Sequence, residues 1–90
     1  MAAYIRLSQW VGRKDLTDLW GAELSPQATE KLIKQLKQRC QCNGTIVPGG
    51  APDGGDLIQL QGDRRKDVRA VLADTPWHFV VYEAPLALGT

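Results

Sequence analysis

The chain has 90 residues, of which 11 are Lys or Arg, 10 are Asp or Glu and one is His, giving a formal net charge of +1. This length supports one domain, which we place at residues 1–90, and such a chain buries roughly 60–65% of its unfolded surface. No apolar run reaches the roughly 18–20 residues of a membrane span, and the N-terminus lacks the apolar core of a signal peptide. The near-zero net charge argues against a nucleic-acid partner unless the cations are clustered.

The N-terminal part of the chain is predicted to form a β-hairpin. Tyr4, Ile5 and Leu7 indicate a first strand, and the residues from Leu16 to Trp20 indicate a second. The residues between them, 9–15, are predicted to form the hairpin loop.

A helix is predicted next. Ser25 is a preferred N-cap residue, and Pro26 suits the first helical position. An apolar stripe with helical spacing follows, formed by Ala28, Leu32, Ile33, Leu36 and Cys40. Asn43 and Gly44 are predicted to end this helix, because Asn and Gly are common at helix C-termini.

The second half repeats the pattern of two strands and a helix. Strands are predicted at 45–47 and 57–61, separated by a glycine-rich loop at 48–55. Asp63 is the predicted N-cap of the second helix, Pro76 ends it, and a last strand is predicted at 78–82. Trp20 and Trp77 are predicted core residues in strands, and residues 84–90 are expected to form a mobile tail.

The order ββαββαβ predicts an α/β fold. We expect a two-layer sandwich, with one mixed five-stranded sheet and both helices on one of its faces.

The cations fall into clusters. Residues 31–39 contain four cations and no acid, and three of them (Lys31, Lys34 and Lys37) fall within an arc of about 120° opposite the apolar stripe. On the helix alone, an ordinary solvated face would explain this pattern. A second cluster, Arg64, Arg65 and Lys66, follows the predicted N-cap of the second helix, where the helix dipole disfavours positive charge.

Cations at that helix terminus, together with free backbone N–H groups, indicate an anion site, for which an RNA phosphate backbone is the obvious ligand. Arg13 and Lys14 add a third basic point at the hairpin tip. Five of the ten acids lie elsewhere in the sequence, namely Glu23, Asp53, Asp56, Asp74 and Glu83. The molecule is therefore predicted to be polarised rather than neutral.

The sequence offers little for catalysis or metal binding. Cys40 and Cys42 with the distant His78 fall short of the four ligands of a structural zinc site, so we predict no metal and no cofactor. We find no Ser/His/Asp nucleophile, no phosphate-binding glycine loop and no pair of catalytic carboxylates. Cys42 with His78 is the only candidate pair of nucleophile and base, and we predict that the protein is not an enzyme. Two cysteines without a secretion signal favour a reducing, cytoplasmic location.

Two segments taken together resemble the signature of a known family. They read Cys-Gln-Cys-Asn-Gly-Thr-Ile at 40–46 and Ile-Gln-Leu-Gln-Gly-Asp-Arg-Arg-Lys at 58–66. In this order and spacing they are similar to the eukaryotic-type translation initiation factor 1 family, and residues 12–17 resemble that family's first hairpin. The similarity extends from about Gly12 to Leu72 and continues more weakly through the last predicted strand.

The resemblance implies a factor that binds the small ribosomal subunit near the peptidyl-tRNA site and promotes accurate start-codon selection. It assigns Gly12, Arg13 and Lys14 to a decoding-site loop, and Lys34 and Lys37 to rRNA contacts. The full set of candidate RNA-binding residues is Gly12, Arg13, Lys14, Lys31, Lys34, Lys37, Arg64, Arg65 and Lys66. The expected partners are small-subunit rRNA, the mRNA and initiator tRNA region and other initiation factors, without a membrane. We expect a monomer off the ribosome.

The chain also departs from the family pattern. Family members usually have a flexible tail before the first strand, which here is expected to start almost at Met1. Asp15 and Asp18 occupy positions that are more often neutral, which weakens the positive field of the first hairpin. Two other functions remain open: a regulator of reinitiation or stress translation with the same fold, and a protein–protein module without RNA contact that uses Trp10 as an anchor.

Overall fold

The computed structural model describes residues 2–10, 15–21, 23–85 and 87–89. Its elements are β1 (Ala2–Trp10), β2 (Leu16–Trp20), α1 (Pro26–Cys40), β3 (Gly44–Val47), β4 (Leu57–Gln61), α2 (Arg65–Ala73), β5 (Val80–Glu83) and β6 (Ala87–Gly89). No helix in the described ranges is long and apolar enough to cross a membrane.

The strands form one mixed sheet with the order β3-β4-β2-β1-β5, and β6 pairs with β1 beside β5. The pairs β1–β2, β2–β4 and β3–β4 are antiparallel, whereas β5 and β6 run parallel to β1. The predicted α/β sandwich with the order ββαββαβ is therefore confirmed.

One face of the sheet carries the hydrophobic core. Ile5 of β1, Leu19 of β2 and Leu60 of β4 are buried on this face. Ile5 pairs with Leu19 and Leu19 pairs with Ile58, and Leu60 shares the face of Ile58 because the two are two residues apart on one strand. Both helices contribute to the same core cluster, through Leu32, Leu36, Val68, Val71 and Leu72 among others. Each fully buried side chain of this size stabilises the fold by about 1.5–3 kcal/mol, so the two helices are held on this face by burial.

The opposite face of the sheet holds a polar network. Asp18 is fully buried there and accepts hydrogen bonds from Arg6 (Nη2 to Oδ2, 2.7 Å), Gln59 (Nε2 to Oδ1, 3.1 Å) and the Ser8 hydroxyl. The Arg6 guanidinium also lies 5.0 Å from the centre of the Trp20 ring. Trp20 is buried as predicted, in a small cluster with Ala51 of the glycine-rich loop.

Helix α1 begins as predicted and ends earlier than predicted. The Ser25 hydroxyl accepts the Ala28 N–H at 3.2 Å, and Pro26 is the first helical residue. At the other end, Gln41 takes the left-handed conformation (φ 50°, ψ 48°) and ends the helix, so the prediction of Asn43 and Gly44 was wrong.

Gly44 instead begins β3, where the strand passes close to its neighbours. A Cβ at this position would lie 2.6 Å from a Leu60 methyl carbon and 3.1 Å from the Gln59 carbonyl oxygen.

The C-terminal part of the chain differs from prediction in two respects. The last predicted strand begins at Val80 rather than His78, because His78 has a φ of 52° that no strand accommodates. Trp77 therefore lies in the preceding turn, with its ring 6.1 Å from that of Phe79. The expected tail also contains regular structure, since Ala87–Gly89 forms β6.

Pairing with β6 also changes the first hairpin. Ala87 is opposite Ser8 and Gly89 is opposite Trp10, so β1 continues through Trp10, whereas the loop was predicted to begin at Gln9.

Candidate nucleic-acid interface

The described cations divide into two groups according to their carboxylate partners. The sequence contains eleven Lys and Arg residues. Arg13 and Lys14 lie outside the described ranges, so nine of the eleven are described. Four have a carboxylate oxygen within 4.0 Å: Arg6 with Asp18, Arg39 with Asp74, Arg65 with Asp63 and Glu83, and Arg69 with Glu83. The other five, which we call the unpaired cations, are Lys31, Lys34, Lys37, Arg64 and Lys66.

This division corrects part of the predicted polarity. Asp74 and Glu83 were predicted to lie apart from the cations. In the fold, Asp74 forms an ion pair with Arg39, and Glu83 forms ion pairs with Arg65 and Arg69. All five unpaired cations belong to the predicted RNA-binding set, and of the six described members of that set only Arg65 is paired.

Helix α1 positions three of the unpaired cations. Its buried side chains, Leu32 and Leu36 among them, face the sheet, and this leaves Lys31, Lys34 and Lys37 exposed on the outer surface. With a rise of 1.5 Å per residue, the three lysines span about 9 Å along the helix axis. They therefore form a short row of positive charge at about 4.5 Å spacing along the axis.

The N-terminus of α2 is fixed from β2 rather than by the predicted N-cap. The buried Thr17 hydroxyl accepts the Arg64 backbone N–H at 2.7 Å and donates to the Gly62 carbonyl oxygen at 2.7 Å. Arg64 is thus the N-cap residue, and the prediction of Asp63 was wrong. The chain reaches this position through Gly62, whose φ of 90° favours glycine.

Asp63 instead forms an ion pair with the first residue of the helix. Two hydrogen bonds of 2.9 Å join the Arg65 guanidinium to the two Asp63 oxygens. The hydrogen bond from Arg65 holds the pKa of the Asp63 carboxyl below its ordinary value of 3.8. Glu83 lies 3.6 Å from the same guanidinium, so Arg65 has two carboxylate partners, and the other described members of the predicted set have none.

Lys37 and Arg64 line the same polar depression. Its other lining residues are Gln41, Cys42, Asn43, Gln61 and Gly62, from the loop after α1 and the end of β4. The Arg64 Nε donates to the Gln61 carbonyl oxygen at 3.1 Å, which holds the guanidinium at this place. Two cations 27 residues apart in the sequence therefore meet at one concave polar surface.

The depression lies beside the base of the first hairpin. The Gly62 N–H donates to the Asp15 carbonyl oxygen at 2.8 Å, which joins the segment before α2 to the residue preceding β2. The hairpin candidates Gly12, Arg13 and Lys14 are outside the described residues.

Burial limits the reactivity of Cys40. Cys40 is buried against the core, and burial, assisted by the neighbouring Cys42, raises the pKa of its thiol to about 11. The thiolate is the reactive form, so Cys40 is a poor nucleophile and a poor metal ligand. Among the described residues, no three His, Cys, Asp or Glu side chains are grouped so that they could hold a metal ion.

This arrangement is suited to binding phosphate groups. Lys and Arg side chains without a carboxylate partner are available to phosphate oxygens, and such contacts position a protein on RNA without reading its sequence. Sequence analysis missed Thr17, which positions Arg64. The only signal for it was a polar residue at an inward strand position, two residues before Leu19.

The comparisons with known proteins identify the family. Residues 2–78 match the family model described as translation initiation factor SUI1. A protein translation factor SUI1 homolog from Salix bakko is 42% identical over 69 residues, or 77% of this chain and 58% of that protein. Eukaryotic translation initiation factor 1 from Homo sapiens is 39% identical over 71 residues, or 79% of this chain and 60% of that protein.

The chain therefore belongs to the SUI1 translation initiation factor family, as the sequence motifs predicted. It matches about three fifths of the length of these relatives. Among solved structures, that of SMU.848 from Streptococcus mutans overlaps 94% of this chain at 11% identity, with a TM-score of 0.39.

Proposed function

We propose that this protein is a translation initiation factor that acts in the cytoplasm, binds the small ribosomal subunit near the peptidyl-tRNA site and promotes accurate start-codon selection. The single observation that carries the proposal is the coincidence of two sets. The five unpaired cations all belong to the candidate RNA-binding set predicted from the sequence, and the family resemblance assigns two of them, Lys34 and Lys37, to rRNA contacts.

The mechanism follows from the placement of these charges. The row of lysines on α1 and the Lys37–Arg64 depression would bind rRNA phosphates, and the first hairpin would reach the paired codon and anticodon. Contacts of this kind release counterions and weaken as salt rises, so binding is reversible. Reversible binding suits a factor that leaves once a start codon has been accepted.

The ion-pair division permits a matched test of the proposal. Lys34→Gln/Lys37→Gln removes two unpaired cations from α1, and Arg39→Gln/Arg69→Gln removes two paired cations, one from α1 and one from α2. Both double variants change the net charge equally. We expect the lysine variant to weaken co-sedimentation with small subunits by about tenfold or more, and the arginine variant by about twofold or less.

Equal losses in the two variants would contradict the role of the unpaired cations. The same sedimentation, with and without initiator tRNA and a start codon, tests the function itself. An initiation factor of this kind should be released when the start codon is paired. Retention on the subunit under those conditions would instead favour a regulatory role on the same RNA.

A further inference from the structure

A second concave surface lies at the other end of α1. The buried apolar side chains of Leu19, Leu32 and Ile58, with the half-buried Leu24, line a cavity of about 170 Å³. An engineered apolar cavity of about 150 Å³ holds a molecule the size of benzene. This cavity is therefore large enough for one aliphatic or aromatic side chain of a partner.

Three carboxylates lie around the apolar side chains that line this cavity. Glu23, Asp53 and Asp56 are exposed residues that line the cavity, and no described Lys or Arg nitrogen lies within 4.0 Å of them. We call the cavity and these three residues the acidic pocket.

Backbone contacts position the acidic side chains and leave their charge uncompensated. The Gly55 N–H donates to Asp53 Oδ1 at 2.9 Å, and the Gly49 N–H donates to Asp56 Oδ1 at 3.4 Å. Each aspartate keeps its second oxygen without a protein partner in the described chain. Glu23 has a φ of 52°, a left-handed conformation that is uncommon for a residue with a side chain.

We propose that the acidic pocket binds a protein segment in which one apolar side chain is flanked by Lys or Arg residues. The apolar side chain would fill the cavity, and the flanking cations would pair with Glu23, Asp53 and Asp56. Charge complementarity identifies the partner, because three uncompensated carboxylates repel RNA phosphates and attract a basic segment. A buried anchor with a charged rim is also the usual arrangement of a peptide-binding surface.

The acidic pocket is separate from the Lys37–Arg64 depression. Thr29 lines the pocket and Lys37 lines the cationic depression, and eight residues of α1 place them about 12 Å apart along the helix. The chain could thus bind an anionic surface at one end and a basic segment at the other. This proposal does not depend on ribosome binding.

The test uses the 90-residue chain labelled with ¹⁵N and two synthetic peptides. One is acetyl-Lys-Lys-Leu-Lys-Lys-amide, and the other has Ser in place of Leu. With the Leu peptide we expect saturable amide shifts at Leu24, Thr29 and Gly55. The Ser peptide should bind about tenfold more weakly, because the cavity stays unfilled.

Two charge variants make the test specific. Asp53→Asn/Asp56→Asn should weaken the Leu peptide by about fivefold, whereas Glu30→Gln/Asp74→Asn, which removes two carboxylates outside the pocket, should leave its affinity within about twofold. Equal binding of the Leu and Ser peptides, or shifts located elsewhere, would overturn the proposal. Shifts at the pocket that grow with protein concentration and without peptide would also overturn it, because they would show self-association.

Discussion

The Thr17 hydroxyl oxygen lies 2.7 Å from the Arg64 amide nitrogen, so a residue of β2 holds the N-cap residue of the second helix in place. Because the same hydroxyl donates to the Gly62 carbonyl oxygen, one side chain fixes both ends of the turn that carries Arg64. The position of this candidate RNA-binding residue therefore depends on the interior of the sheet.

Thr17→Val should remove both hydrogen bonds at nearly constant volume. It leaves the Arg64 N–H and the Gly62 carbonyl without their partner, which costs about 1–3 kcal/mol of the free energy of unfolding. Urea denaturation measures the loss. Thr45→Val, at an exposed strand position, is the control and should change the free energy by less than about 0.5 kcal/mol. Equal effects of the two substitutions would show that Thr17 does not stabilise the turn that carries Arg64.

Asp18→Asn should destabilise the fold strongly. The carboxylate accepts from three side chains at once, and Asn has one acceptor oxygen and no charge to pair with Arg6. We expect a loss of about 3–5 kcal/mol, a large part of the roughly 5–13 kcal/mol available to a chain of this length. A shift in the urea midpoint measures it.

The matched control for Asp18 is the exposed Asp56→Asn, which should shift the urea midpoint little. Arg6→Met/Asp18→Leu should recover at least half of the loss, because it removes both charges together. If Asp18→Asn lowers the free energy of unfolding by less than about 1 kcal/mol, the buried Arg6–Asp18 pair does not stabilise the fold as proposed.

Asp63 should respond to pH through its partner. Since Arg65 lowers the pKa of this carboxyl in the folded chain, the ionised form is favoured by folding. The contribution to stability is present above the ordinary value of 3.8 and is lost as pH falls through the lower folded value. An NMR titration of the carboxyl carbon should give a midpoint below 3.8, and Arg65→Gln should return it towards 3.8. If the midpoint is the same in the Arg65→Gln variant, the ion pair is not the cause of the lowered pKa of Asp63.

Cys40 should be alkylated slowly in the folded protein. With its pKa raised to about 11, the thiolate fraction at pH 8 is about one hundredth of that of an ordinary cysteine. Iodoacetamide labelling of a Cys42→Ser variant, in buffer and in urea, measures the difference. The neutral thiol is favoured by folding, so the stability it contributes is complete below pH 9 and is lost as pH rises from about 9 to about 11. Equal labelling rates would mean that Cys40 is accessible in the native state.

The first hairpin should affect accuracy more than affinity, if the proposed function is correct. Arg13→Ala/Lys14→Ala removes the two cations assigned to the decoding-site loop while the unpaired cations remain. We expect increased initiation at near-cognate codons in a reconstituted assay, with a loss of subunit affinity of about tenfold or less. Lys34→Gln/Lys37→Gln should show the reverse balance. Unchanged codon choice in the hairpin variant would count against the assignment.

Much of the fold could be predicted from local sequence signals. The Ser25–Pro26 start of α1, its apolar stripe and the order of strands and helices all follow from propensity and periodicity. The clustering of cations at 31–37 and 64–66 indicated the helices on which the unpaired cations lie. These features depend on residues close together in the sequence.

The features that were missed depend on contacts between distant residues. Asp63 has the composition of an N-cap, but Arg64 occupies that position, and its backbone N–H is bound by Thr17, 47 residues away in the sequence. Arg65 looked like an available cation until the fold placed Glu83 beside it. In the same way, residues 87–89 lack a strand pattern of their own. They form a strand because the last three residues of β1, Ser8–Trp10, pair with them.

The acidic pocket and the Lys37–Arg64 depression lie towards opposite ends of α1, so charges of opposite sign are separated along this helix. The positive charge lies at the C-terminal end of the helix, where Lys37 interacts favourably with the helix macrodipole. Such a separation of charge orients a molecule before contact, even when its net charge is close to zero. A large polyanion should therefore meet this protein with the C-terminal end of α1 foremost, which favours productive encounters over random ones.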